Sequence, residues 1–265
     1  MEQIYSHTMK KIQKTLVLNK KEGETPLEAL ENFRRKNKKY KDLKMTYAGR
    51  LDPMAAGLLV ILTGEETKNK EKYLKLNKEY EFEVLFGFAT DTYDILGKVL
   101  KNMPRQGLGK KEAEKEIRKN LKHFTGTFIQ KYPMYSSKTV KGKQLFEYAR
   151  RGENVKAPRL EVNVKSFKFI KSRTISSAKL LANIEKRVKK VKGDFRQKEI
   201  LAIWNKYLRT STIVYFVVSF KIKCSSGTYV RGIANSLGEK IKVPALAFSI
   251  KRTKIGKWSN SGVIY

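Results

Sequence analysis

The sequence has few of the residues that build disulfides and metal centres. It contains one cysteine, Cys224, and two histidines, His7 and His123, among 265 residues. A single cysteine excludes an intramolecular disulfide and any metal site built from several cysteines. Two histidines argue against a histidine-rich metal centre. We therefore expect no metal ion.

Long apolar runs are also lacking. No stretch approaches the roughly 20 apolar residues that a membrane-spanning helix needs, and segment 1–14 lacks the apolar core of a signal peptide. The expected protein is cytoplasmic and does not enter a membrane. No internal repeat and no linker rich in Pro, Gly or Ser divides the chain, so we predict a single domain over residues 1–265.

Acidic residues are scarce relative to basic ones. The sequence has 58 Lys and Arg against 25 Asp and Glu, a formal net charge of +33. Such an excess indicates a polyanionic partner, and nucleic acid leads because lysine and arginine neutralise phosphates and release counterions. A lysine-biased proteome is the other explanation for part of this excess.

Strand and helix patterns alternate without βαβ order, which predicts an α+β fold with a mostly antiparallel sheet. Alternating apolar residues indicate two strands, with one face formed by Tyr80, Phe82, Val84, Phe86 and Phe88 and by Val214, Phe216, Val218, Phe220 and Ile222. Helical spacing groups Ala113, Ile117, Leu121 and Phe124, and likewise Ile233, Leu237 and Ile241. Residues 174–209 read as a basic helical pair, in which Leu201, Trp204 and Leu208 can cover Ile184, Val188 and Val191.

One acid, Asp52, lies in a turn just before the apolar run 58–62. Pro53 directs Asp52 toward extended backbone, and Gly49 and Gly57 allow a tight path on either side. Taken alone, these residues predict an Asp-Pro turn whose carboxylate caps a neighbouring amide.

Two further stretches suggest chemistry. Residues 130–152 interleave basic and aromatic side chains, as RNA contact requires; the alternative is a basic amphipathic helix that buries Leu145, Tyr148 and Ala149. Arg231 falls in the first turn of a predicted helix, where it opposes the helix dipole. It therefore calls for an acidic or phosphate partner, unless it is an ordinary surface arginine.

Six segments in consistent order resemble the TruB-type tRNA pseudouridine synthases. They are NKKEGETP, YAGRLDPMAAGLLVILTGEETK, KEYEFEVLFGFATDTYDILGKV, GTFIQKYPMYSSKTVKGKQLFEYARRG, CSSGTYVRGIANSLG and SIKRTKIGKW. The resemblance implies a pseudouridine synthase fold, with a mixed, mostly antiparallel sheet flanked by helices and RNA-binding loops. It also implies an isomerase that converts uridine to pseudouridine in the T-loop (position 55) of tRNA without a cofactor.

The resemblance assigns the catalytic group. Asp52 matches the family's nucleophile, and its role as nucleophile or as initiating base stays open. Arg231 pairs with Asp52, and Tyr80 stacks on the flipped uracil and relays the C5 proton. Ile250 and Tyr229 line the uracil site.

The resemblance also suggests residues that contact the RNA. Tyr47 stands where the family has a histidine, so its contact with the flipped region must differ, and Asp94 closes the Thr-Asp-Thr-x-Asp turn at the substrate. The candidates for holding phosphates are Lys20, Lys138, Lys141, Lys143, Arg150, Arg151 and Arg252.

Departures from the family pattern keep alternatives open. Arg50 gives GRLD, a spelling shared with synthases that modify ribosomal RNA, and Lys21 replaces a proline. The end at Tyr265 predicts no C-terminal PUA domain, so the insertion 174–209 is either a surface hairpin or a substitute grip on tRNA. The expected partner is the T-arm of tRNA, bound by a monomer; the alternatives are the same chemistry on ribosomal or messenger RNA, or a basic RNA-binding protein without catalysis.

Overall fold

A mixed sheet of nine strands runs through the computed structural model, which describes residues 12–103 and 110–259. His7 and most of segment 1–14 lie outside these described residues. The strands are β1 (Thr15–Lys20), β2 (Met45–Ala48), β3 (Ala55–Thr63), β4 (Lys78–Phe86), β5 (Phe88–Thr90), β6 (Val99–Asn102), β7 (Gly126–Lys131), β8 (Thr139–Val140), β9 (Lys143–Gln144), β10 (Arg159–Ser176), β11 (Val214–Cys224), β12 (Ala245–Ile255) and β13 (Trp258–Ser259). The helices are α1 (Pro26–Lys36), α2 (Lys70–Leu74), α3 (Lys110–Asn120), α4 (Leu145–Arg151), α5 (Ser177–Val188), α6 (Gln197–Leu208) and α7 (Val230–Lys240).

The central sheet has the order β1-β3-β12-β4-β11-β10-β7, with β2 paired to β3 and β13 paired to β12. Only β3 and β12 run parallel among its described pairs; the other pairs are antiparallel. Strands β5–β6 and β8–β9 form two small separate sheets. The predicted α+β class with a mostly antiparallel sheet is confirmed.

One face of the sheet packs against α3 and α7 in the largest buried cluster. The predicted helix faces are confirmed, since this cluster holds Ile117, Leu121 and Phe124 together with Ile233 and Leu237. Alternation along β4 likewise brings four of the predicted residues to this face, namely Tyr80, Phe82, Val84 and Phe86.

Phe88 is an exception to the predicted strand face. Gly87 adopts a left-handed φ of 111° between β4 and β5, and this turn moves Phe88 to the opposite side of the sheet. Its ring centroid lies 4.8 Å from Trp204 and 4.8 Å from Tyr215. The prediction that Phe88 shares a face with Tyr80 is wrong, because glycine breaks the period of two.

Helices α5 and α6 cover the second face of the sheet. Ile184, Val188 and Val191 share a buried cluster with Trp204 and Leu208, as predicted. The cluster also contains sheet residues from four strands, Leu85, Phe88, Tyr215, Val217, Leu246 and Phe248. The inner face of the helical pair is therefore part of the core, while the choice between a surface hairpin and a grip on tRNA stays a prediction.

The bounds of the insertion also need correction. Residues 174–176 complete the 18-residue strand β10, and α5 begins at Ser177. Among the described residues, no helix is long and apolar enough to span a bilayer.

Candidate active site

Asp52 lies on the loop between β2 and β3, at one end of the parallel strand pair. Its carbonyl accepts a hydrogen bond from the amide of Ala55 at 3.0 Å, and the carbonyl of Pro53 accepts one from the amide of Gly23 at 2.8 Å. The loop is therefore fixed both to the strand that follows it and to the segment after β1. The carboxylate has an arginine as its partner instead of the neighbouring amide that the turn alone predicts.

Arg231, in the first turn of α7, pairs with this carboxylate. Its Nε lies 2.7 Å from Oδ2 of Asp52, and its Nη2 lies 3.5 Å from Oδ1. The Arg231 residue is 2% exposed, whereas the Asp52 side chain is 38% exposed. The predicted acidic partner of Arg231 is thus Asp52, and the carboxylate keeps access to solvent.

The remaining donors of Arg231 bind backbone carbonyls from two other segments. Nη1 donates to the carbonyl of Thr92 at 2.7 Å, and Nη2 donates to the carbonyl of Tyr135 at 2.8 Å. Burial lowers the pKa of Arg231, but Asp52 and Asp94 more than offset this, so the pKa lies above its usual range. One cation therefore joins three loops around Asp52.

Asp94 is buried beside this arginine. Its Oδ1 accepts hydrogen bonds from the hydroxyl of Thr92 at 2.7 Å and from the amide of Leu96 at 2.9 Å. Burial raises the pKa of Asp94 to about 6, although Arg231 and the two hydrogen bonds oppose the rise. The sequence predicts Asp94 as a substrate contact, and the structure places it 6% exposed, behind Arg231.

Tyr80 and Ile250 belong to one buried apolar cluster, which also contains Leu51 and Val230. Burial raises the pKa of Tyr80, and the neighbouring guanidinium of Arg252 opposes the rise. The charge of Asp52 contributes to the pKa of both Tyr80 and Tyr229, so both phenols lie within its electrostatic range.

The backbone of Tyr229, at the start of α7, is held by a side chain that the sequence motifs did not indicate. The amide group of Gln130 accepts from the Tyr229 amide and donates to the Tyr229 carbonyl, both at 2.9 Å. Gln130 is itself buried on β7. The sequence feature that could have indicated this role is the position of Gln130, an uncharged polar residue at the start of the stretch 130–152 that interleaves basic and aromatic side chains.

Two of the predicted phosphate-binding residues, Lys20 and Arg252, are buried instead of exposed. Lys20 is fully buried, donates to the carbonyls of Lys21 and Glu24, and has a pKa that burial lowers to about 8. Arg252 is 1% exposed and donates to the carbonyls of Leu58, Arg50 and Gly49. Both cations stabilise the backbone around Asp52 instead of facing RNA.

The other five predicted phosphate contacts lie together on a segment that we call the arm, residues 132–152. Lys141 and Gly142 form the turn of the β8–β9 hairpin with φ of 48° and 81°, as a tight hairpin turn requires. Four of the five basic side chains are exposed, namely Lys138, Lys141, Arg150 and Arg151, and Lys143 is half-buried. In α4, Leu145 and Tyr148 are buried, while Ala149 is half-buried.

Tyr47 lies apart from this group. It is half-buried on β2 and packs beside the cluster formed by α1, β1 and β3, and the ammonium of Lys70 lies 5.6 Å from its ring centroid. The described residues contain no group of three or more His, Cys, Asp or Glu side chains that could hold a metal ion.

Comparison with known proteins gives one consistent result. A family model described as TruB family pseudouridylate synthase (N terminal domain) matches residues 35–196. The protein named tRNA pseudouridine synthase B from Lactobacillus acidophilus is 31% identical, over 89% of this chain and 66% of the relative. The protein of the same name from Caldanaerobacter subterraneus subsp. tengcongensis is 33% identical, over 80% of this chain and 59% of the relative. The chain thus spans under two thirds of the length of these two relatives.

Two solved structures share the fold. A Cbf5-Nop10-Gar1 complex aligns with a TM-score of 0.55 at 17% identity, over 93% of this chain and 50% of that one. An H/ACA RNP bound to a substrate RNA containing 2'-deoxyuridine aligns with a TM-score of 0.54 at 16% identity, over 94% and 50%.

Proposed function

The chain belongs to the TruB family of pseudouridylate synthases, and we propose that it converts a T-loop uridine of tRNA to pseudouridine with Asp52 as the catalytic group. The reaction breaks the C1′–N1 bond, turns the base, forms a C1′–C5 bond, releases the proton from C5 and adds a proton to N1. Substrate and product are isomers, so no redox partner is needed.

The salt bridge between Asp52 and Arg231 is the observation that carries this proposal. Arg231 contacts the carboxylate at 2.7 Å from its buried side, so the exposed side stays free to meet C1′ of a bound nucleotide. Either proposed role, nucleophile or initiating base, needs a carboxylate held at a fixed position against the sugar. Buried Arg231 holds the carboxylate at that position and leaves the Asp52 side chain 38% exposed.

The surroundings of Asp52 suit a uracil that has left its stack. Tyr80 and Ile250 offer an aromatic and an aliphatic surface in the same apolar cluster, and Tyr229 adds a second ring within range of the carboxylate. We propose that Tyr80 stacks on the flipped base and relays the C5 proton, while Ile250 and Tyr229 confine the ring. Asp94 then acts on substrate through Arg231.

The arm supplies the affinity for RNA. Its cations, Lys138, Lys141, Lys143, Arg150 and Arg151, are exposed or half-buried, and we propose that they bind phosphates near the target. We propose that the arm and the central sheet act as one catalytic unit over the described residues.

The test is tritium release from a tRNA transcript labelled at C5 of its uridines. The purified chain should release one equivalent per tRNA, and a transcript with cytidine at the T-loop target should release none. A ribosomal RNA fragment and a T-arm hairpin, assayed in parallel, identify the target. Release from ribosomal RNA alone would contradict the tRNA assignment, and no release from any RNA would contradict the proposed chemistry.

A further inference from the structure

The loop between α5 and α6, residues 189–196, reaches the active site at Arg196. This residue has a left-handed φ of 62°, which directs its side chain back toward the sheet. Its Nη1 lies 2.7 Å from Oδ2 of Asp91 and 2.7 Å from the hydroxyl of Tyr135. The guanidinium carbon also lies 4.3 Å from the centroid of the Tyr135 ring.

Arg196 therefore contacts the same two segments that hold Arg231, one at residues 91–92 and the other at Tyr135. Arg231 donates to the carbonyl of Tyr135 and to the carbonyl of Thr92, the residue that follows Asp91. A shift of either segment would move an acceptor of Arg231. The position of Arg231 in turn fixes the Asp52 carboxylate.

A second contact joins the same loop to the arm. Arg150 donates to the carbonyl of Asp194 at 2.6 Å, and its guanidinium carbon lies 6.0 Å from the Phe195 ring centroid. The loop is rigidly mounted, because α5 and α6 bury Ile184, Trp204 and Leu208 in the core.

We propose that the inserted helical pair is a brace for the catalytic salt bridge and that Arg196 is its positioning residue. Arg196 acts through Tyr135 and Asp91 on Arg231, and it does not touch the RNA. This inference deepens the proposed function and rests on it for its kinetic test.

The competing account makes Arg196 one more cation for phosphates. Its side chain is only 17% exposed and is already bound by the carboxylate of Asp91, which has the same exposure. A guanidinium engaged by a carboxylate fork and stacked on a ring has few donors left for a phosphate. The two accounts differ in whether the variant changes the rate or the affinity.

The kinetic test compares Arg196→Gln with Lys198→Gln. Lys198 is exposed in the first turn of α6 and forms no hydrogen bond or ion pair through its side chain with the other described residues, so this control removes the same charge from the same region. At saturating enzyme, Arg196→Gln should slow single-turnover pseudouridine formation by about tenfold or more, with the Kd for tRNA changed less than about threefold. Lys198→Gln should keep the wild-type rate.

A second variant tests the route through the arm. Tyr135→Phe removes the acceptor of Arg196 but keeps the ring, and it should slow the reaction by about threefold, as expected for one hydrogen bond. The double variant should be no slower than Arg196→Gln alone, because both changes break one connection. The proposal would be overturned if the rate losses of the two single variants multiply in the double variant, or if Arg196→Gln changes only the Kd for tRNA. If Arg196→Gln does not fold, the rate of Tyr135→Phe tests the proposal, and a wild-type rate would overturn it.

Tryptic cleavage of the arm gives a readout that needs no RNA. Without its brace, the arm should be cut between Lys138 and Arg151 several times faster in Arg196→Gln than in Lys198→Gln. Equal cleavage would show that Arg196 does not hold the arm, whether or not the wild-type protein isomerises uridine. Absence of activity in the wild-type protein would count against the proposed function alone.

Discussion

Replacing Asp52 by asparagine changes one charge at the centre of the site and almost no volume. Among the described residues, the carboxylate has one cationic partner in contact, Arg231, whose Nε donates a 2.7 Å hydrogen bond to Oδ2. Asparagine Oδ1 can still accept that bond. We therefore expect Asp52→Asn to fold and to bind tRNA, and to lose isomerisation.

The magnitudes separate a catalytic acid from a structural one. A charge-assisted hydrogen bond contributes about 1.5–3 kcal/mol, and the 38% exposure of the Asp52 side chain reduces that contribution. Because Arg231 keeps two carbonyl acceptors, the loss of stability should be about 1 kcal/mol, or roughly 2–4 °C in Tm. Loss of the reacting carboxylate should cost at least about a thousandfold in rate, equivalent to about 4 kcal/mol of transition-state stabilisation.

The assay measures both quantities on the same preparation. Single-turnover tritium release gives the rate, thermal unfolding gives Tm, and filter binding at several salt concentrations gives affinity for tRNA. Asp42→Asn, an exposed acid before β2, serves as the matched control and should resemble the wild-type protein. Turnover by Asp52→Asn near the wild-type rate, or unfolding out of proportion to the estimate above, would refute the catalytic assignment.

Three further predictions follow from buried groups. Tyr80→Phe should keep base flipping, because the ring remains, but slow turnover, because the hydroxyl that relays the C5 proton is lost, whereas Tyr80→Leu should slow base flipping and turnover by at least tenfold; equal single-turnover rates for the leucine variant and wild type would remove Tyr80 from the site. Arg252→Leu leaves the carbonyls of Leu58, Arg50 and Gly49 without their donor and should cost about 3 kcal/mol or more in urea unfolding; an unchanged midpoint would return Arg252 to the phosphate-binding group. Asp94 has a folded-state pKa of about 6, above its unfolded value, so the native state binds the extra proton between about pH 4 and 6 and its stability falls as pH rises through that window. Asp94→Asn should abolish this fall, and identical pH profiles of unfolding for both proteins would contradict it.

The pairing of Asp52 with Arg231 was predicted by the order of the family motifs, whereas the local pattern around Asp52 alone favoured a capping turn. Arg231 lies in a helix first turn where a buried cation needs an acid, and Asp52 lies in a glycine-flanked turn before a buried strand. The strand and helix faces around them follow from periods of 2 and 3.6. The structure brings Asp52 and Arg231 into contact and places Tyr80 within electrostatic range of Asp52.

Buried cations could not be predicted in the same way. Lys20 and Arg252 look like surface residues in a chain with 58 basic side chains, and each is buried by carbonyls that turn inward in the folded state. For Arg252, the three acceptors belong to the loop before Asp52 and to β3, and nothing in the spacing of the sequence brings them together. The role of Arg196 was hidden for the same reason, since it depends on a left-handed backbone and on partners 105 and 61 residues away.

The basic residues that give the net charge of +33 therefore have two physical roles in this molecule. Exposed cations on the arm are surrounded by water and ions, so their attraction to phosphates falls as salt rises. Lys20, Arg231 and Arg252 are 2% exposed or less and bind carbonyls or Asp52, so salt barely screens them. Their partners are carbonyl groups and one carboxylate fixed within the protein, and these contacts hold the backbone near Asp52. From composition alone, exposed and buried cations both suggest affinity for RNA. In the folded protein, the buried cations instead fix the backbone around Asp52.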